Sequence, residues 1–145
     1  MYDRILVTTD GSAAARAAVA HAVDIASRYD ATLHVLSVVD LRPWKRGAES
    51  AVMTDELEER AEDAVETVAA AARDRGVAVE TAVVRGVPHG EILEYAADPG
   101  VDLVVMGTHG RTGLRHAVMG SVAEKVVRRS PCPVLTVRMD DEDDG

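Results

Sequence analysis

Between Gly107 and Ser121 the chain reads GTHGRTGLRHAVMGS, four glycines with two arginines and two histidines in fifteen residues. Glycine lets a main chain approach a ligand closely and take positive φ. Arginine offsets negative charge, so the combination suits an anion held by backbone amides. Residues 107–129 carry a formal charge of +4 in a chain whose net charge is −9, which leaves −13 for the remainder. A phosphate-bearing ligand is the economical reading of a basic patch in so acidic a protein. The common phosphate motifs are absent: there is no GxxxxGK[ST], and no GxGxxG follows the first apolar run. His109 and His116 stand seven residues apart, and His21, His34 and His89 are scattered elsewhere. That spacing matches no standard ligand pattern, so no metal site is expected.

The elements around the segment explain its position. The apolar run VDLVVM precedes it and the helix-like VAEKVVRR follows. The glycines therefore leave a buried strand and enter a helix N-terminus, where open amides and the positive end of the helix dipole coincide. The same alternation runs through the whole chain. Strands are predicted at residues 4–9, 32–39, 77–84, 102–106 and 134–137. A first helix over residues 13–28 is capped by Ser12, with Ala18, Ala22, Ile25, Ala26 and Tyr29 recurring at helical spacing. The longest helix follows Thr54, turns Leu57, Ala61, Ala64, Val65, Val68 and Ala72 to one side, and stops at Gly76. A short helix opens at Pro88 and carries Ile92, Leu93 and Ala96 inward. The last helix follows Ser121, which forms a capping box with Glu124. The order β-α-β-α-β-α-β-α-β specifies an α/β domain, a parallel sheet covered by helices. Leu41 to Met53 is read as the one long loop, and residues 139–145 as an acidic, disordered tail.

Composition narrows the setting. A chain of 145 residues makes one domain, here residues 1–138, with a core that needs no disulfide or structural metal. The single cysteine, Cys132, cannot form an internal bridge and reads as a small apolar residue at the start of a strand. No signal-peptide pattern opens the chain and no apolar run approaches the roughly 20 residues of a membrane span, so a cytoplasmic protein without membrane contact is expected. The acidic balance argues against DNA as a partner. Nearly all basic residues are arginines, there is no Phe, and Ala and Val abound. Such chains resemble those of halophilic microbes, in which high net charge maintains solubility in concentrated salt.

The glycine spacing, Gly107, two residues, Gly110, nine residues, Gly120 and then Ser121, resembles the G-x2-G-x9-G-[ST] signature of the ATP-binding branch of the universal stress proteins. RILVTTDGS, LSVVD, RGVPHGEIL, DLVVMGTHGRTG and GSVAEKVVRRSPCPVLTV extend the likeness over about 140 residues. The resemblance implies a single open, doubly wound five-stranded parallel sheet of order 3-2-1-4-5, similar to the adenine nucleotide α-hydrolase fold. It implies that Asp10 accepts from ribose hydroxyls, with Thr8 and Thr9 just before it, and that the backbone of Val38 faces the adenine. Met106 and Gly107 close over base and ribose, and Gly110, Gly120, Ser121, Val122 and Ala123 surround the phosphates. Arg111 and His109 lie beside them. Ala123 stands where relatives place a hydroxyl residue, one phosphate contact fewer. The implied ligand is ATP, or AMP or ADP, with Mg²⁺ held by the phosphates.

The equipment for catalysis is thin. A hydrolase needs a positioned water, a group to orient it and charge stabilisation at the γ-phosphate, and here only Asp10 is an obvious nearby carboxylate. The family resemblance implies tight nucleotide binding with slow ATP hydrolysis or none, hence a sensor or signalling module. A slow ATPase and a dimeric interaction protein without nucleotide are the alternatives. The last strand lies at an exposed edge that needs covering, and the resemblance implies a homodimer through Pro133 to Val137. Trp44, the sole tryptophan, sits in the Leu41 to Met53 loop, which would overhang the nucleotide.

Overall fold

The computed structural model describes residues 1–42, 49–98, 100–109 and 119–138, with backbone alone for residues 49–51. The chain alternates β1 (Arg4–Thr8), α1 (Ala13–Tyr29), β2 (Thr32–Val39), α2 (Glu49–Asp74), β3 (Val79–Arg85), α3 (Pro88–Ala96), β4 (Leu103–Gly107), α4 (Ser121–Arg129) and β5 (Val134–Val137). All strand pairs are parallel and the order is β3-β2-β1-β4-β5. The doubly wound, five-stranded α/β architecture expected from the sequence is the one observed.

Strand alternation builds two apolar layers. Ile5, Val7, Leu33, Val35, Leu103 and Val105 face α1 and α2, whereas Leu6, Leu36, Val104 and Met106 face α3 and α4. A sheet buried on both faces requires such near-continuous β-branched and aliphatic runs. Alanines form much of the α1 contact, with Ala18, Ala22 and Ala26 fully buried, and so let the helix lie close to the strands. Tyr29 sits at the rim instead, exposed and in edge contact with Tyr2 at 5.1 Å.

Two local readings need correction. α2 begins at Glu49 and so takes up the end of the expected Leu41 to Met53 loop. From Glu49 to Met53 the sequence ESAVM contains neither glycine nor proline, and the last breaker is Gly47. At the other end, Gly76 (φ 75°) does stop the helix: its N–H donates to Arg73 O and that of Val77 to Ala72 O, a Schellman closure. The second correction concerns α4. Gly120, not Ser121, is its N-cap, in extended conformation and without a side-chain cap hydrogen bond. Glu124 is thus one position too far along for a capping box, and its carboxylate pairs with Arg128 at 2.9 Å. Trp44 and the acidic tail lie outside the described residues.

Candidate functional site

At the carboxyl end of the sheet a cleft of about 690 Å³ opens between the ends of β1, β2 and β4, walled by α2, α3 and the start of α4. The connections from β1 and β4 diverge there to opposite faces, the place where open α/β sheets take ligands. The volume lies within the range of small-molecule sites, about 300–1,000 Å³.

The β1 side of the cleft is locked by its own sequence. Thr9, nearly buried, donates its amide to Leu36 O and accepts the Gly11 amide on Oγ1 at 3.2 Å. Gly11 takes φ 80°, which brings the Ser12 amide to Asp10 Oδ1 at 2.9 Å. Ser12 Oγ in turn accepts from the Ala15 amide and caps α1. Asp10 thus has a chain-turning role in addition to its place on the cleft wall.

The β4 side is held by close approach. A Cβ on Gly107 would lie 3.0 Å from Ala14 O and 3.1 Å from Ala14 C, so any larger residue would have to push the first turn of α1 back by a few tenths of an ångström. Thr108, also buried, donates its amide to Val137 O, and its carbonyl accepts the Gly120 amide at 2.7 Å. Its hydroxyl meets His109 Nδ1 at 2.9 Å. The chain therefore leaves at His109 and returns at Gly120 beside its own starting point. α4 then opens toward the cleft with the amides of Ser121, Val122 and Ala123 in its uncapped first turn. Each helix follows a parallel strand and so begins at this end of the sheet: a serine side chain caps α1, and none caps α3 or α4.

Thr8, Thr9, Asp10, Val38, Met106, Gly107, His109, Gly120, Ser121, Val122 and Ala123 all line the one cleft. Gly110 and Arg111 lie outside the described residues. Sequence reasoning missed the walls supplied from farther off. Leu57, Arg60 and Ala61 come from α2, Pro88 and Ile92 from α3, and Ser37 and Asp40 from the end of β2. Ser37 carried a signal, a hydroxyl within an apolar strand; the helical residues carried none.

Charge around the rim is mixed. Asp40 is engaged by Arg42, with an Nη2–Oδ2 distance of 2.7 Å. His89, adjacent to the lining residue Pro88, is held below the ordinary imidazole range by burial first and then by the charges of Lys125, Arg129 and Arg42. Of these cations Arg42 is ion-paired with Asp40, and Lys125 and Arg129 belong to α4. Among the described residues no group of three or more His, Cys, Asp or Glu side chains converges as a metal site.

The universal stress protein family model matches residues 1–138. This chain belongs to that family. It is 39% identical over 141 residues to universal stress protein MJ0531 of Methanocaldococcus jannaschii, covering 95% of this chain and 83% of the relative. The solved structure of protein MJ0577 superposes with a TM-score of 0.87 at 35% identity, over 97% of this chain and 99% of that one. A universal stress protein solved in complex with cAMP matches at TM-score 0.69 and 30% identity, over 96% and 99% of the two chains.

Proposed function

We propose that this universal stress protein binds adenine nucleotides, ATP above all, and acts as a nucleotide-dependent sensor or signalling module. The observation that carries the reading is the uncapped start of α4, opening into a cleft of nucleotide size with Asp10 on its wall. Phosphates satisfy the first-turn amides, favoured by the helix dipole. Asp10 accepts from the ribose, the β2 backbone at Val38 borders the base, and Met106 and Gly107 close beneath it. Gly110 and Arg111 complete the phosphate site in this reading, beside His109. The cAMP complex of the structural relative supports a nucleotide in this fold.

Hydrolysis is slow or absent. Among the described residues the carboxylates lining the cleft are Asp10 and Asp40: Asp40 is paired with Arg42, and Asp10 is taken by the ribose in this reading, so neither is left to orient a water. Mg²⁺ would be held by the ligand's phosphates. Calorimetric titration of ATP, ADP and AMP, with and without Mg²⁺, tests the proposal on wild type and on Gly120→Val with Ser121→Ala. Binding by wild type that the double variant loses is the expected outcome; a folded wild type that binds none of the three would defeat it.

Three further elements complete the reading. The protein is a homodimer through Pro133 to Val137: β5 is an edge of the sheet, and half-buried Val134 and Leu135 lie along it. Sedimentation at micromolar concentration should give twice the chain mass, and Leu135→Asp should give the monomer. The protein is cytoplasmic, in keeping with described helices of which none is long and apolar enough to cross a membrane. Its acidic, lysine-poor composition suits a halophile, for which the melting temperature should rise between low and molar KCl.

A further inference from the structure

Among the described residues, one arginine or lysine lines the cleft, Arg60. It belongs to α2, which packs on the face of the sheet opposite α4. Glu56 precedes it by four positions and Asp63 follows by three, the spacings at which exposed helical charges usually pair. Arg28, Arg73 and Arg75 do pair with carboxylates on α1 and α2. Arg60 makes no hydrogen bond or ion pair among the described residues.

A shallow groove of about 300 Å³ opens from the cleft beside Asp10, and Arg60 and Asp10 share its wall with Gly11, Asp63 and Thr67. One opening is thus flanked by a carboxylate that only accepts hydrogen bonds and a guanidinium that only donates them. A vicinal diol satisfies both at once, giving its hydroxyl hydrogens to the carboxylate and its oxygen lone pairs to the guanidinium. A deoxygenated sugar leaves the pair without that partner.

We propose that Arg60 is a specificity-determining residue that donates to the ribose 2′ and 3′ oxygens whose hydrogens Asp10 accepts, so that the cleft selects ribonucleotides over their deoxy analogues. The inference rests on the adenine-nucleotide reading above and extends it to a residue of α2. Because Arg60 is exposed, its truncation leaves the apolar layers intact.

The test is calorimetric titration of AMP and of 2′,3′-dideoxy-AMP into wild type, Arg60→Ala and Arg60→Met, with melting temperatures measured alongside. Wild type should prefer AMP. Both variants should lose about tenfold for AMP, the scale of one hydrogen bond to a charged group, with dideoxy-AMP affinity and melting temperature unchanged. Equal weakening of both ligands, or of neither, in variants that fold like wild type would overturn the role of Arg60 while leaving nucleotide binding intact. Wild type that binds neither AMP nor ATP would overturn the nucleotide reading and, with it, this inference.

Discussion

The two ends of the sheet are built from similar side chains and put them to different use. At the amino end, Asp102 Oδ2 accepts the amides of Asp3 and Arg4 at 2.8 and 3.0 Å, and the Asp102 amide donates to Arg4 O. Those backbone bonds hold its carboxyl below the ordinary carboxylate range. Nearby, Asp24 bonds Arg28 and Arg75, and His34 Nδ1 meets Tyr95 OH at 2.8 Å. Backbone and carboxylate groups there are largely taken up within the fold, while the buried Nε2 of His34 has no hydrogen-bond partner among the described residues. At the carboxyl end the Thr9, Asp10 and Ser12 side chains secure the β1–α1 turn, while the first turn of α4 has no side-chain cap. Binding capacity follows from which donors the fold leaves to a ligand, and the mere presence of aspartate or serine does not supply it.

Gly107→Val should break that division most severely, because fold and site meet at this residue. The new side chain would press on the Ala14 backbone. Overpacking against main chain costs on the order of 3 kcal/mol. Thermal melting should fall by roughly 10 °C for a domain of this size, and ATP titration should show binding lost in the same variant. A valine tolerated in both assays would show that α1 has room to retreat.

Asp102→Ala acts at the amino end alone. Two amide–carboxylate bonds disappear, for a loss of about 2 kcal/mol in denaturant unfolding, with ATP affinity unchanged. The sign with pH follows from the lowered carboxyl. Its contribution is complete above the unfolded value of about 3.9 and fades as pH falls through the lower folded value. The gap between wild type and variant should therefore narrow below about pH 4, and a constant gap would assign the stability to something other than this carboxylate.

Ser12→Ala sharpens the contrast between the two helix starts. Removal of the α1 cap should cost about 1 kcal/mol of stability, with nucleotide affinity nearly unaltered, since that amide is consumed internally. A loss of affinity larger than the loss of stability would place the ligand on α1 as well as α4.

The smallest expected effect is at His89. Anionic phosphates arriving beside Lys125, Arg129 and Arg42 would offset the cations that help to depress it. Its imidazole should titrate at higher pH in the ATP complex than in the free protein, as followed by NMR. No shift on saturation would put the phosphates away from the α3–α4 rim.

The order of elements, the buried faces of strands, the stop at Gly76 and the start at Pro88 were legible because period and backbone chemistry are local properties. Strand order was not legible in that way. Hydrophobic alternation is the same wherever a strand sits, so the order 3-2-1-4-5 came through family resemblance alone. The site roles of Asp10, Val38, Met106 and Gly107 came through the family resemblance, while their position near strand ends was legible from the apolar runs. Arg60 could not, because a charged residue on a long helix looks like solvated surface until tertiary packing brings the helix beside the β1 turn. Ser121 misled for a physical reason: glycine takes the extended cap conformation as readily as serine, and one residue of register decides which amides remain for a ligand.

The bond from the Gly120 amide to Thr108 O fixes the two ends of the intervening chain a few ångströms apart. A connection with joined ends pays little extra entropy as it lengthens, about 0.6 kcal/mol per doubling. The joint between β4 and α4 is thus made by main-chain atoms alone, so its register does not depend on the side chains of the connection it closes.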